Sequence, residues 1–194
     1  MHYEPKNFDH LIGTLGFSDQ LLKNHFTLYQ GYVMNTNKLA DMLSQMTGTE
    51  KIGTPEYAEV KRRFGWAFNG MRLHELYFGN MKNGGAGLGN ASALSKKIIE
   101  DFGTCENWEK DFKAVGAMRG IGWTVLYHDQ DNNGLFNIWV GEHDMGHLAG
   151  CVPLLVLDVF EHAYTLDYGI KKADYITAFM KAIDWGVVYK RFNK

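Results

Sequence analysis

The sequence has little of what would brace or anchor a chain from outside its own core. Three prolines and two cysteines are spread over 194 residues. The cysteines, Cys105 and Cys151, form no CxxC pair and are expected as free, buried thiols, which argues against a disulfide scaffold. No apolar run reaches the length of a membrane span, and no apolar stretch follows a basic start at Met1-His-Tyr-Glu-Pro-Lys-Asn-Phe8, so no signal peptide is expected. Neither sign of charge dominates. A formal net charge of -2 argues against nucleic-acid binding by an overall basic surface. Internal repeats and low-complexity segments are absent as well. What is left, 45% apolar and 22% charged residues, describes a globular, soluble, cytoplasmic protein of one large or two small domains.

Ser18 and Asp19 can cap a helix running through Leu21, Leu22, His25, Leu28, Tyr29 and Val33 toward Leu43, with His25 on or beside its buried stripe. Thr54-Pro55-Glu56 opens a second long helix. Its seam, Tyr57, Phe64, Met71 and Phe78 with Val60, Ala67 and His74 alongside, puts a histidine at a core position. A short connection makes the pair an antiparallel hairpin. The glycines from Gly79 to Gly89 lack the pattern of a phosphate-binding loop and read as a linker, which divides the chain at 1–88 and 89–194. Beyond it, helices are expected over Ala91–Phe102 and from about Glu106 to Met118. Strands are expected at Trp123–Tyr127 and Leu135–Val140 around an Asn133-Gly134 turn, then a third from Pro153, and a final helix from about Asp174 to Tyr189. The fold class is α+β: a long helical hairpin, then an α/β domain with a three-stranded antiparallel sheet flanked by helices.

The third strand, Pro153-Leu-Leu-Val-Leu-Asp158, carries an acid into the core at its end, and His162 follows one helical turn later. A buried carboxylate costs several kcal/mol unless it is paired, hydrogen-bonded or bound to a metal. By itself the pair Asp158 and His162 also fits a helix-face pair or a buried hydrogen bond, and a lone histidine on an apolar face is usually a core residue. Together, His25, His74, Asp158 and His162 form a donor set that suits a first-row transition metal such as iron or manganese, and zinc as well.

The stretch Asp158-Val-Phe160-Glu161-His162-Ala-Tyr164 resembles the D-x-W-E-H-A-Y signature of the iron/manganese superoxide dismutase family. His74-Glu-Leu-Tyr77-Phe78, Gly120-Ile-Gly122-Trp123-Thr and Tyr32-Val-Met-Asn35-Thr-Asn37 resemble further segments of that family, in order along nearly the whole chain. The resemblance implies a single iron or manganese ion, with a lean toward manganese, held by His25, His74, Asp158 and His162. It implies disproportionation of superoxide to dioxygen and hydrogen peroxide as the metal cycles between +3 and +2. A catalytically silent metal-binding or sensor protein on the same scaffold is the alternative.

The family usually sets a glutamine beside the metal-bound solvent, from one of two positions. Here those positions hold Gly70 and His143. Glycine leaves room at the first, so His143 is expected to hydrogen-bond the solvent; the plain alternative is an exposed loop histidine. Tyr32 resembles the family's gateway tyrosine, though it lies seven residues from His25 where eight is usual, and a core tyrosine is the competing reading. Tyr77, Trp123, Phe160 and Tyr29 are expected to line the pocket, with Phe160 in place of the signature's tryptophan. The usual gate pair, a histidine and a tyrosine across the dimer, is replaced by Tyr29 and Thr165. Glu161 is expected to reach His162 of the partner subunit in a homodimer, unless it simply faces solvent. Lys172 is a candidate for steering the anionic substrate, or else an ordinary surface lysine.

Overall fold

The computed structural model describes residues 2–85, 87–89 and 92–193. Ser18 caps α1 (Asp19–Met46), its Oγ accepting from the Leu21 N–H at 3.0 Å. Thr54 caps α2 (Pro55–Gly79) through the Tyr57 N–H at 3.2 Å, with Pro55 in the first turn, where its missing N–H costs nothing. The two helices form the expected hairpin. Its seam buries Val60, Ala67, Met71, His74 and Phe78 but leaves Tyr57 and Phe64 half-buried. The main core draws its buried α2 residues from Met71 onward.

Ser92 caps α3 (Ala93–Phe102), and Gly103, at φ 82°, ends it; the expected start at Ala91 lies outside the described residues. α4 (Cys105–Ala117) follows. β1 (Gly122–Asp129), β2 (Gly134–Gly141) and β3 (Val152–Asp158) form an antiparallel sheet in the order β2-β1-β3. The β1–β2 turn closes through Asn133 at φ 52°, a conformation asparagine tolerates better than most residues. β1 is central and buried from Gly122 to His128. Leu126, Leu155 and Phe179 are fully buried and contribute about 1.5–3 kcal/mol each. Such burial offsets the cost of carrying His74 and Asp158 into the same interior.

The expected final helix is broken. A short α5 (Thr165–Tyr168) precedes α6 (Lys172–Ala182) and α7 (Trp185–Phe192). The chain leaves the helix at Ile183 to bridge Met81, and Lys82 N–H donates to Ala182 O at 2.8 Å while Asp184 N–H donates to Asn80 O at 2.9 Å. Asp184 then restarts the helix by accepting from Gly186 N–H at 3.0 Å. Tertiary pairing, invisible to local periodicity, outweighs the helical pattern here. Cys105 and Cys151 are free as expected, but half-buried rather than buried.

A polar clasp ties the hairpin to the sheet. β3 is an edge strand, and the buried Asn80 side chain pairs its outer edge, donating to Val156 O at 3.2 Å and accepting from Val156 N–H at 2.9 Å. Arg191 of α7 donates to Leu154 O at 2.7 Å and to Leu76 O at 3.0 Å, near the C-terminus of α2 where a cation is favoured. This fixes α2 against the strand that ends in Asp158. The division at 88 and 89 falls within the connection between α2 and α3. One apolar core draws on both sides of that proposed division. No described helix is long and apolar enough to cross a membrane.

Candidate metal centre

Four elements deliver four donor groups to one point. His25 comes from the first turns of α1, and His74 from α2. Asp158 is the last residue of β3, and His162 lies in a single 3-10 turn, Glu161–Ala163, just beyond it. Sheet register sets the frame: Trp123 of β1 pairs with Asp158 on one side and Val140 on the other. Gly122 is required just before it, at φ 152°, because a Cβ there would stand 2.0 Å from Val140 O.

Asp158 Oδ2 lies 3.2 Å from Nε2 of both His25 and His162, and 3.6 Å from Nε2 of His74. The four donor atoms fall within 4.8 Å of one another. The Asp158 and His74 side chains are 0% exposed and that of His162 is 27% exposed, so the site opens on the His162 side. Oδ1 of Asp158 accepts from Phe160 N–H at 2.8 Å, and the Asp158 carbonyl accepts from the Tyr175 hydroxyl at 2.7 Å.

The donor chemistry fits a cation. His74 Nδ1–H donates to Gly70 O at 2.6 Å, which leaves Nε2 as a bare lone pair. That Nε2 is buried without a hydrogen-bond partner and faces the carboxylate. Two electron-rich atoms so placed repel each other unless a positive ion lies between them. Burial pushes His25 and His74 below the ordinary imidazole value, so both are neutral donors. Burial alone would raise Asp158, but the neighbouring His162 and His25 outweigh it and hold the carboxyl below the usual carboxylate range.

Stripping the metal is therefore expected to destabilise the protein. An ion bound at about 1,000 times its Kd contributes about 4 kcal/mol, which for a chain of this length is a loss of roughly 8–16 °C in Tm on chelation. The metal-free form should also be acid-labile. Its buried His25, His74 and His143 stay neutral in the fold below 6.5, the ordinary value at which they charge in the unfolded chain. The unfolded state then binds more protons, so stability falls as pH drops below that value, by up to about 1.4 kcal/mol per pH unit per histidine. Calorimetry of stripped and loaded protein across pH 5–8 checks both; an unchanged Tm on chelation would show that the cluster holds no ion.

Aromatic rings wall the site. Trp123 lies 5.0 Å from His74, Tyr77 5.4 Å from His25 and Phe160 5.2 Å from His162, centroid to centroid. Above His74 sits a pair: Tyr32, its ring 5.0 Å from His74, and His143, whose Nε2 is 2.7 Å from the Tyr32 hydroxyl. Trp123 Nε1–H donates to His143 Nδ1 at 3.0 Å. The His143 proton is therefore on Nε2 and points at Tyr32.

The model of iron/manganese superoxide dismutases, C-terminal domain, matches residues 90–191. The chain is 36% identical to a superoxide dismutase [Fe] of Aquifex pyrophilus, over 100% of this chain and 89% of that protein. It is 36% identical to superoxide dismutase [Mn] 2 of Haloferax volcanii, over 91% and 87%. It is 37% identical to a superoxide dismutase [Fe] of Cupriavidus metallidurans, over 91% and 89%. The chain belongs to the iron/manganese superoxide dismutase family.

Two expectations for this family member are sharpened by the geometry. His143 is fully buried, not an exposed loop histidine. Both its ring nitrogens have protein partners, Trp123 on Nδ1 and the Tyr32 hydroxyl on Nε2. Tyr32 is half-buried, packed against the apolar core and 5.0 Å from the His74 ring. α1 is continuous through this region, and seven residues of α-helix fall only ~20° short of two turns, so Tyr32 keeps the face of His25. A Cβ on Gly70 would lie 2.6 Å from the Tyr32 ring and 3.2 Å from His143 Cδ2, so the glycine does leave the room expected of it.

Other expected residues sit apart from the donors. Tyr29 packs beneath His74, 6.3 Å ring to ring, but its hydroxyl turns away to Glu75 at 3.1 Å. Glu161 and Thr165 are exposed on the His162 side. Lys172 donates to Met118 O at 2.6 Å and lies over the Trp139 ring, outside the pocket. Several residues escaped sequence reading. Trp66 packs 4.5 Å from His143 and donates to Glu142 at 3.1 Å. Its signal was present, since Trp66, Gly70 and His74 recur at four on α2. Buried Glu75 pairs with Lys6 at 2.8 Å and Arg72 at 2.7 Å, and nothing local to the sequence pointed to Lys6.

Proposed function

We propose that the protein is a superoxide dismutase that uses one iron or manganese ion per subunit. When bound, the ion supplies the redox chemistry, cycling between +3 and +2 as superoxide becomes dioxygen and hydrogen peroxide. The observation that carries the reading is the partnerless His74 Nε2 facing the buried Asp158 carboxylate, in a chain of this family. His25, His74 and His162, each through Nε2, and Asp158 through Oδ2 are the proposed ligands. Gly70 O orients the His74 ring, and Phe160 N–H with the Tyr175 hydroxyl orients Asp158. Tyr77, Trp123 and Phe160 exclude water.

Peroxide formation needs protons, and Tyr32 is the group placed to hold one. Its oxygen accepts from His143, so its own O–H is free to point into the site. Burial, with Asp158 and Glu142 nearby, pushes its pKa up to about 12, so it stays protonated at neutral pH. Burial holds His143 at about 4, which keeps that ring neutral and its N–H committed to Tyr32. Manganese is the preferred ion in this reading, supported by Gly70 paired with a side chain from the C-terminal half. Loading the protein separately with iron and manganese, then measuring metal content and superoxide consumption, tests the proposal. Bound metal without turnover in either form would sink it and leave a silent metal-binding protein.

A homodimer completes the reading. Its support is the exposed Glu161 and Thr165 beside the open His162, with Leu166 56% and Ile170 100% exposed in the same segment. Glu161 would accept from His162 of the partner subunit. Glu161→Gln is expected to weaken dimerisation at least about ten-fold, through loss of charge-assisted hydrogen bonds worth about 1.5–3 kcal/mol each, and to lower metal content. Sedimentation at micromolar concentration reads both states; a fully metallated, active monomer would refute the link. A cytoplasmic location is kept as a proposal from the sequence alone.

A further inference from the structure

The loop between β2 and β3 turns back at once. Gly141 N–H donates to Met145 O at 2.8 Å, and Met145 N–H to Gly141 O at 3.2 Å. Between them Glu142 adopts φ 48°, a left-handed conformation uncommon for a non-glycine residue. The strained turn sends His143 inward. What holds it there is a chain of groups outside the ligand set. His147 Nε2 lies 2.9 Å from the His143 backbone carbonyl, and His147 Nδ1 lies 2.7 Å from the Tyr127 hydroxyl. Tyr127 is 3% exposed on the central strand β1. Its phenol donates to Nδ1, which leaves the His147 proton on Nε2, the one tautomer that can serve the carbonyl.

We propose that His147, oriented by Tyr127, is a positioning residue that sets the His143–Tyr32 pair over the metal site. The path runs from a rigid strand through a phenol and an imidazole to a buried carbonyl, and from that residue's ring to Tyr32. His147 lies outside the ligand set and the aromatic wall. On the opposite side, Trp66 packs on the His143 ring and holds the Glu142 carboxylate, so the loop is gripped from both flanks. Any effect on turnover rests on the proposed superoxide reaction; the effect on the bound ion's environment does not.

The test compares His147→Leu, His147→Gln and Tyr127→Phe in the metal-loaded protein, measuring turnover per bound metal, the midpoint potential of the ion and Tm. His147→Leu removes the donor. Turnover per metal is expected to fall about ten-fold, as sub-ångström misplacement of a proton-bearing group does, with a shifted potential and unchanged metal content. His147→Gln carries an N–H of similar reach and should restore most of both. Tyr127→Phe frees the tautomer and should shift the potential in the same direction by less. Wild-type turnover and potential in His147→Leu would overturn the proposal, as would a glutamine variant no better than leucine while both lose the same Tm. If the leucine variant fails to fold, an unshifted potential in Tyr127→Phe overturns it. If the unaltered protein consumes no superoxide, the functional reading has failed, and the potentials still decide whether His147 positions the pair.

Discussion

Replacing Asp158 by asparagine is expected to empty the metal site and to leave the fold standing. The substitution keeps shape and removes one charge. The Oδ1 position can still accept from Phe160 N–H, which is 2.8 Å away in the native chain. At Oδ2 the new carboxamide offers N–H groups toward His25 and His162 Nε2, each 3.2 Å from that atom. The metal-free variant should therefore fold cooperatively, because a satisfied dipole stands where the buried anion was. Metal affinity falls. Losing the one anionic ligand of a buried site should cost at least about 4 kcal/mol, a thousand-fold or more in Kd, and turnover should fall with occupancy. Elemental analysis after dialysis and calorimetry of the stripped proteins read the two effects separately. A variant that kept a full metal complement and native turnover would remove Asp158 from the ligand set.

That carboxylate also shows how far local sequence reaches. Asp158 was legible because an acid at the end of an apolar strand demands a partner, and His74 because it interrupts a heptad seam. The two long helices were legible from caps and periodicity, and the strands from alternation around Asn133-Gly134. What escaped depends on pieces distant in sequence. The break at Ile183 follows from pairing with Met81, about a hundred residues earlier. The clasp of Asn80 and Arg191 on β3 needs three elements to meet before either side chain finds a partner. At the site, His143 was expected to serve solvent directly. Its N–H points at Tyr32 because Trp123 fills its other nitrogen, and that follows only once β1 and the loop after β2 are adjacent. The four donor residues could be read one by one. The hydrogen-bond directions around them could not, since each depends on the tautomer chosen by a neighbour.

The same dependence makes a single methyl group at Gly70 the sharper test of the site. In Gly70→Ala the new Cβ would lie 2.6 Å from two carbons of the Tyr32 ring. That ring has little room to retreat, with His74 at 5.0 Å, Trp66 at 5.5 Å and His143 at 4.9 Å from its centroid. Overpacking of this kind costs about 1–3 kcal/mol, a loss of roughly 2–12 °C in Tm for a chain of this length. The ring must shift, and its 2.7 Å bond to His143 Nε2 is the first contact to break. The Gly70 carbonyl that orients His74 is backbone and survives the change, so the four donors should still hold their ion. The expected result is a fully metallated protein whose turnover per metal falls about ten- to a hundred-fold, because the proton on Tyr32 is no longer aimed into the site. Loss of metal in step with loss of turnover would mean that Gly70 supports the ligands rather than the Tyr32–His143 pair. Native turnover at native Tm would mean that Tyr32 does not occupy the space the glycine leaves.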